Sequence, residues 1–174
     1  MQYFRLTQDP DFLEAPVFSD AIQKIDRRYT VPNEAHRINE HTVFRLSGKE
    51  TPDFIDLLSR QLFLVTELLK QTFVLYLPKL QFKMVFLTHQ DKKMQQTYYL
   101  PIFEHVECLS EQSIMTPDKS IVRQLVLQKA LIPKKGLFRV KHSQETIIVA
   151  RLDAAESILR RNFRGVKLER IQIE

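Results

Sequence analysis

Apolar and polar positions change period several times along the chain, and each change marks an element. Residues 2–6 (Gln-Tyr-Phe-Arg-Leu) read as an opening strand. Between Ser19 and Tyr29, Ala21, Ile22, Ile25 and Tyr29 recur at helical spacing behind Asp20 as N-cap, which predicts a short helix. Thr42–Leu46 predicts a strand, closed by a turn at Ser47-Gly48-Lys49. Leu62–Val65 reads as a buried strand running into a helix. Thr66 is placed to cap that helix, and Glu67 suits the positive end of its dipole. Leu68, Leu69, Phe73 and Tyr76 supply its apolar stripe, and Pro78 ends it.

From Leu80 to Thr88 the period is two. Leu80, Phe82, Met84 and Phe86 lie on one wholly apolar face; Gln81, Lys83, Val85 and Leu87 lie on the other. Gln90–Lys93 makes a polar turn, Gln96–Leu100 returns as the hairpin partner, and Pro101 breaks the ladder. Ile102–Val106, Ile121–Leu127, Leu137–Lys141 and Thr146–Ala150 read as further strands, the last two paired across His142–Glu145. The last helix has Asp153 as N-cap, Glu156 completing a capping box, and Ala155, Ile158, Leu159 and Phe163 as its stripe. Gly165 is its expected C′ residue. Val166–Ile173 closes the chain as a strand with a register change near Arg170. The pattern predicts an α+β fold: a largely antiparallel sheet of hairpins with about three short helices, in a single domain over residues 1–174.

Composition removes function classes rather than adding one. The three glycines, Gly48, Gly136 and Gly165, stand too far apart to share a loop. Phosphate-cradling loops and nucleophile elbows need clustered glycines, because backbone must turn with φ > 0 or pass close to a ligand. A single cysteine, Cys108, excludes an intramolecular disulfide. The start, Met1–Leu6, has no apolar leader core, and Leu62–Leu80 is too polar to span a bilayer, so the chain reads as cytoplasmic with no membrane contact.

The net charge of +5 is unevenly placed: residues 119–174 hold 13 basic and 5 acidic side chains. A basic lobe attracts nucleic acid or an acidic protein, and it also simply keeps a protein soluble. Within it, Arg160, Arg161 and Arg164 lie on neighbouring helix faces, with Lys167 and Arg170 nearby, and form the candidate binding cluster. Tyr98 and Tyr99 are a second candidate; on a strand one of them faces the core and the other the surface. Cys108 with His105 forms no nucleophile motif. Glu104, His105, Glu107 and Cys108 lack metal-site spacing, since neighbours on a strand point to opposite faces. No catalytic residue, metal or cofactor is assigned.

Three stretches resemble a family of bacterial immunity proteins, small cytosolic proteins encoded beside polymorphic toxins and built on a domain of unknown function. The first is Leu62–Thr66 with the helix after it and Leu80–Leu87. The second is Tyr98-Tyr99-Leu100-Pro101 followed by Val106–Ser113. The third, the most specific, is Ile147–Leu159 continuing through Phe163–Glu169. Together they cover about residues 60–172, so that 59–174 forms the family-like core and 1–58 matches less clearly. The resemblance implies a protein that performs no catalysis and neutralises a cognate protein toxin by steric blockade, without a cofactor. The alternative reading is a nucleic-acid-binding accessory protein acting through the basic last third.

Overall fold

The computed structural model describes residues 1–48, 50–142 and 144–174, with Ile22 described by its backbone alone. Lys49 of the expected Ser47–Lys49 turn, Ser143 of the His142–Glu145 connection and the Ile22 side chain of the expected first helix lie outside the described residues.

The chain opens with β1 (Tyr3–Gln8). One helical turn, α1 (Ala21–Lys24), and 3-10 turns at Arg27–Tyr29 and Ala35–Arg37 lead to β2 (His41–Arg45). The short strands β3 (Leu57–Leu58) and β4 (Leu64–Val65) precede α2 (Glu67–Tyr76). Then come the long hairpin β5 (Gln81–His89) and β6 (Met94–Ile102), and β7 (His105–Val106). β8 (Ile114–Met115), β9 (Val122–Gln124) and β10 (Val126–Leu127) follow. A 3-10 turn at Lys129–Leu131 leads to β11 (Leu137–Val140) and β12 (Ile147–Arg151). The chain ends with α3 (Leu152–Arg160), β13 (Val166–Arg170) and β14 (Gln172–Ile173).

Two five-stranded sheets carry the architecture. The first has the order β13-β1-β12-β11-β7, the second β2-β5-β6-β4-β3, and β8–β9 and β10–β14 form two-stranded ribbons. Seven of the ten strand pairings among the described residues are antiparallel. The fold is α+β, as the pattern predicts. β11 and β12 form the expected hairpin, Leu137 opposite Ala150 and Val140 opposite Ile147. The predicted register change near Arg170 appears as the interruption at Ile171, after which β14 leaves the first sheet and pairs with β10.

Both faces of the first sheet are covered at its central strands, β11 and β12. One carries Leu6, Leu137, Ile148 and Ala150 and packs under α2 and α3. The other carries Tyr3, Phe138, Val140, Ile147 and Val149 and packs against Cys108, Val122, Leu125, Leu127 and Ile171. This is why β11 and β12 read as continuous apolar runs rather than alternating ones. The second sheet buries Phe44, Leu58, Leu64, Val85, Leu87 and Tyr98 against Phe18, Ile25, Ala35 and Ile38 of the N-terminal segment.

Several local expectations are corrected. The first helix is a single turn, because Ile25 is extended and the next residues turn as 3-10. On α2 the buried residues are Leu69, Thr72 and Phe73, while Leu68 is 63% exposed. On α3 they are Ala154, Ala155 and Ile158, while Leu159 is exposed. In both helices the packing face is rotated by about one position, because the ground beneath is set by the sheets rather than by the helix's own apolar count. Asp153 is not the N-cap. β12 runs straight into α3, the Leu152 amide donates to the Gln2 carbonyl at 3.0 Å, and the Asp153 carboxylate is held bidentately by Arg151. Asn162, at φ 50°, takes the left-handed position expected of Gly165. Pro101 does not break the ladder: it lies within β6 opposite Phe82, beyond the point where β4 pairs, and strands accept proline on an open side.

Asp56 ties the two halves together. One carboxylate oxygen accepts from the Thr66 hydroxyl at 2.7 Å and the other from the Arg164 amide at 2.8 Å. Its own amide donates to the Arg164 carbonyl at 2.8 Å. Thr66 therefore stands at the N-cap position of α2, but its hydroxyl serves this clamp rather than the helix.

Candidate functional site

Register places the outer surface of the second sheet. Leu57, Val65, Tyr99, Met84 and His41 are successive cross-strand partners and share one face. Thr97, Phe86 and Val43 form the next row, and Pro101 with Phe82 another. α2 covers this face over β3 and β4, where Leu57 and Val65 are fully buried against Leu69 and Phe73. Over β2 and β5 nothing covers it among the described residues. Phe82, Met84, Phe86 and Tyr99 are only half-buried, and Val43 is 47% exposed. The wholly apolar face that the β5 pattern singles out is thus the outer one. Lys83, Val85 and Leu87 turn inward, with the Lys83 ammonium reaching the Glu40 carboxylate at the edge.

The side chains on this surface are ordered by each other. His41 stacks on Phe86 with ring planes 13° apart, and Phe82 meets Tyr99 edge-on at 6.4 Å. The Lys70 ammonium lies 4.0 Å from the centre of the Tyr99 ring and 5.6 Å from that of Phe82, a cation–π cap at the border between helix and bare sheet. The Tyr99 hydroxyl, with Lys70 and Gln71, holds the Glu67 carboxyl below its ordinary value, and Glu67 in return raises the Tyr99 phenol. Preset rings of this kind lose little entropy on binding, which suits a contact surface.

The structure separates the residues that the sequence singles out. Tyr98 is fully buried, its hydroxyl donating to the Ile55 carbonyl at 2.7 Å, and burial pushes its phenol up. Tyr99 is the surface member of the pair. Arg160 is exposed and pairs with Glu156 at 3.5 Å. Arg161 folds back on Ser157 of its own helix. Arg164 leaves the cluster: it pairs with Asp53 at 2.8 Å and lies over the Phe12 ring. Much of the basic excess is likewise shared out locally, through Lys135–Glu104, Lys141–Glu107, Arg151–Asp153 and Lys167–Glu169. Such pairs dilute the field that a phosphate backbone would meet.

Glu104 and Glu107 thus spend their carboxylates on lysines, and Cys108 is buried in the core beneath the first sheet, where burial pushes its thiol up to about 11. A cleft of about 530 Å³ opens between the C-terminal end of α2 and the β6–β7 corner. Its walls are mainly apolar, with Tyr76, Leu77, Leu80, Ile102, Phe103 and Leu137, and the Glu104–Lys135 pair stands at its rim.

Sequence reasoning overlooked Val43, Phe82, Met84 and Phe86 as surface residues. The available signal was β5 itself: a strand with one wholly apolar face and Val85 and Leu87 on the other, inside an antiparallel hairpin where one polar face is the norm. No helix of the described residues is long and apolar enough to cross a membrane. Comparison with curated proteins finds no match. The immunity protein family Imm11 matches residues 5–172, nearly the whole chain and well beyond the stretches that carry the resemblance in sequence. The chain belongs to the Imm11 immunity protein family.

Proposed function

We propose that this protein neutralises a cognate protein toxin by binding it through the bare half of the second sheet's outer face. It acts in the cytoplasm as a stoichiometric partner, without catalysis. The observation that carries this reading is the patch of exposed and half-buried apolar side chains, Val43, Phe82, Met84, Phe86 and Tyr99, left open where α2 stops. Contiguous apolar surface rimmed by polar groups marks protein contact sites. Tyr99 and Phe86 supply the rigid aromatic anchors that dominate binding energy. The mechanism is steric: an interface of ~1,600 Å² in total covers the toxin's active site or substrate groove.

The test is co-expression with the toxin encoded beside this gene, scored as cell survival. Val43→Asp and Phe86→Asp place charge on an exposed surface without touching the inner core. Each should abolish protection while leaving the circular dichroism spectrum in place and lowering the melting transition by only a few degrees. Full protection by both variants would refute this face as the contact. Arg160→Ala with Arg161→Ala, on the helix away from the Tyr99 row, tests the arginine surface in the same assay.

A further inference from the structure

A second surface has a chemistry that the apolar face lacks. β1 and β12 pair from Tyr3↔Arg151 to Leu6↔Ile148; Thr7 and Gln8 go on pairing with β13 alone. Where the two strands part, a groove of about 430 Å³ opens, with Arg5, Arg27 and Arg60 on its walls among serine, threonine and glutamine side chains. Behind it, sharing Arg27, Leu62, Phe63 and Thr146, lies a void of about 10 Å³ lined by Arg139.

Arg139 is 4% exposed. Its Nη1 donates to the carbonyl and hydroxyl of Thr30 at 3.0 and 2.8 Å, and its Nε has no partner. Arg27 donates to the Gln61 and Gln144 carbonyls, which brace it across the groove. Among the described residues, Arg27, Arg60 and Arg139 form no ion pair with any carboxylate. The one acid on the wall, Glu145, is spent on Arg5 at 2.8 Å and on the Val122 amide at 2.7 Å. A buried cation with no counter-ion is costly, and the protein keeps one here beside two further guanidiniums. Burial and the neighbouring Arg27 already press the Arg139 guanidinium down to about 10.

We propose that this groove is a docking site for an acidic segment of a protein partner, whose carboxylates supply the missing counter-charge to Arg27 and Arg60 above Arg139. Guanidinium forks bind carboxylates in two-point contacts, and the hydroxyl and amide side chains along the walls suit a peptide backbone. The inference rests on the toxin-binding reading for the class of partner, but it concerns a different surface and needs no toxin for its test.

Binding of a fluorescein-labelled hexaglutamate peptide to the full chain is followed by anisotropy in 25 mM salt, with hexalysine as control and inorganic phosphate as competitor. Saturable binding of hexaglutamate is expected, weakening by about tenfold at 250 mM salt. Arg60→Ala with Arg27→Ala should weaken it at least tenfold, a loss of about one charge-assisted contact. Arg160→Ala with Arg161→Ala, which removes the same net charge elsewhere, should change it by less than about twofold. Should the double variant fail to fold, Arg60→Glu alone, at an exposed position, carries the test with the same expected loss. Equal weakening by both arginine pairs, absence of saturable binding, or full displacement by millimolar phosphate would overturn the proposal. If hexaglutamate fails to bind while the protein still protects cells, the groove is refuted and the toxin-binding reading stands.

Discussion

The two sheets have five strands each and opposite relations to their surroundings. The first is closed on both faces at its centre; β11 is buried at all four positions and β12 at four of its five. The second is closed on one face and half-open on the other, and β5 alternates between buried and half-buried along most of its length. The first sheet is scaffold at its centre, because β11 and β12 have almost no surface left to offer a partner. The second leaves apolar rings partly open to solvent while its inner face keeps it folded. The difference lies in where α2 stops, since the helix covers β3, β4 and the Tyr99 region of β6 and leaves β2 and much of β5 bare.

The comparison breaks most clearly at equivalent apolar positions. Leu137→Ala, in the first sheet, should destabilise by about 2–5 kcal/mol, the range for a fully buried leucine. Phe86→Ala should cost less, about 1–2 kcal/mol, since that ring is only partly removed from water and no covering layer collapses onto the gap. Equilibrium urea unfolding of both variants checks this, and equal losses would mean that the outer face is as closed as the inner.

Gly165→Ala tests whether the two regions are coupled. The residue sits at φ 71°, and an added Cβ would lie 2.5 Å from Ile55 Cδ1 and 2.6 Å from Ile55 Cβ, next to the Asp56 clamp. A loss of about 2–3 kcal/mol is expected from the strained backbone and the clash together. It should appear as a lower urea midpoint for one cooperative transition, whereas two separated transitions would show independent halves.

Closure of the first sheet is readable through Cys108. Its thiol should resist iodoacetamide at pH 8 in the native state and react at least tenfold faster in denaturant, since only the thiolate attacks. The sign of the linkage follows. A thiol held at about 11 against an ordinary 9 contributes stability that is complete below pH 9 and is lost as pH rises towards 11.

The smallest effect belongs to the β8–β9 ribbon that helps cover that sheet. Thr116 and Ser120 hydroxyls and the Ser120 amide hold the Asp118 carboxyl at about 2. Its contribution is present above the ordinary value near 3.8 and fades as pH falls through 2. A carboxyl titration by NMR should find this group among the last aspartates to protonate.

The closed region was the more legible in sequence. β11 and β12 follow from apolar runs and hairpin spacing, and the break at Ile171 was marked by Val166, Leu168, Ile171 and Ile173 slipping out of alternation. The open region was legible in its elements and not in its orientation. Period two shows that Phe82, Met84 and Phe86 share a face; it does not say which face the N-terminal segment will cover. That choice is made by Phe18, Ile25 and Ile38, far away in sequence, packing on Val85 and Leu87. The groove was illegible for a related reason: Arg5, Arg27, Arg60 and Arg139 are spread over the chain and meet only through topology.

β1, the earliest strand to be made, lies between β12 and β13, among the last. On a ribosome adding about 5–20 residues per second, its backbone has no neighbour to bond with for on the order of ten seconds. Pairings this distant along the polymer also form slowly. The first sheet would therefore close only after β12 and β13 have been made, and products truncated before them would lack the scaffold that holds the rings of the outer face in place.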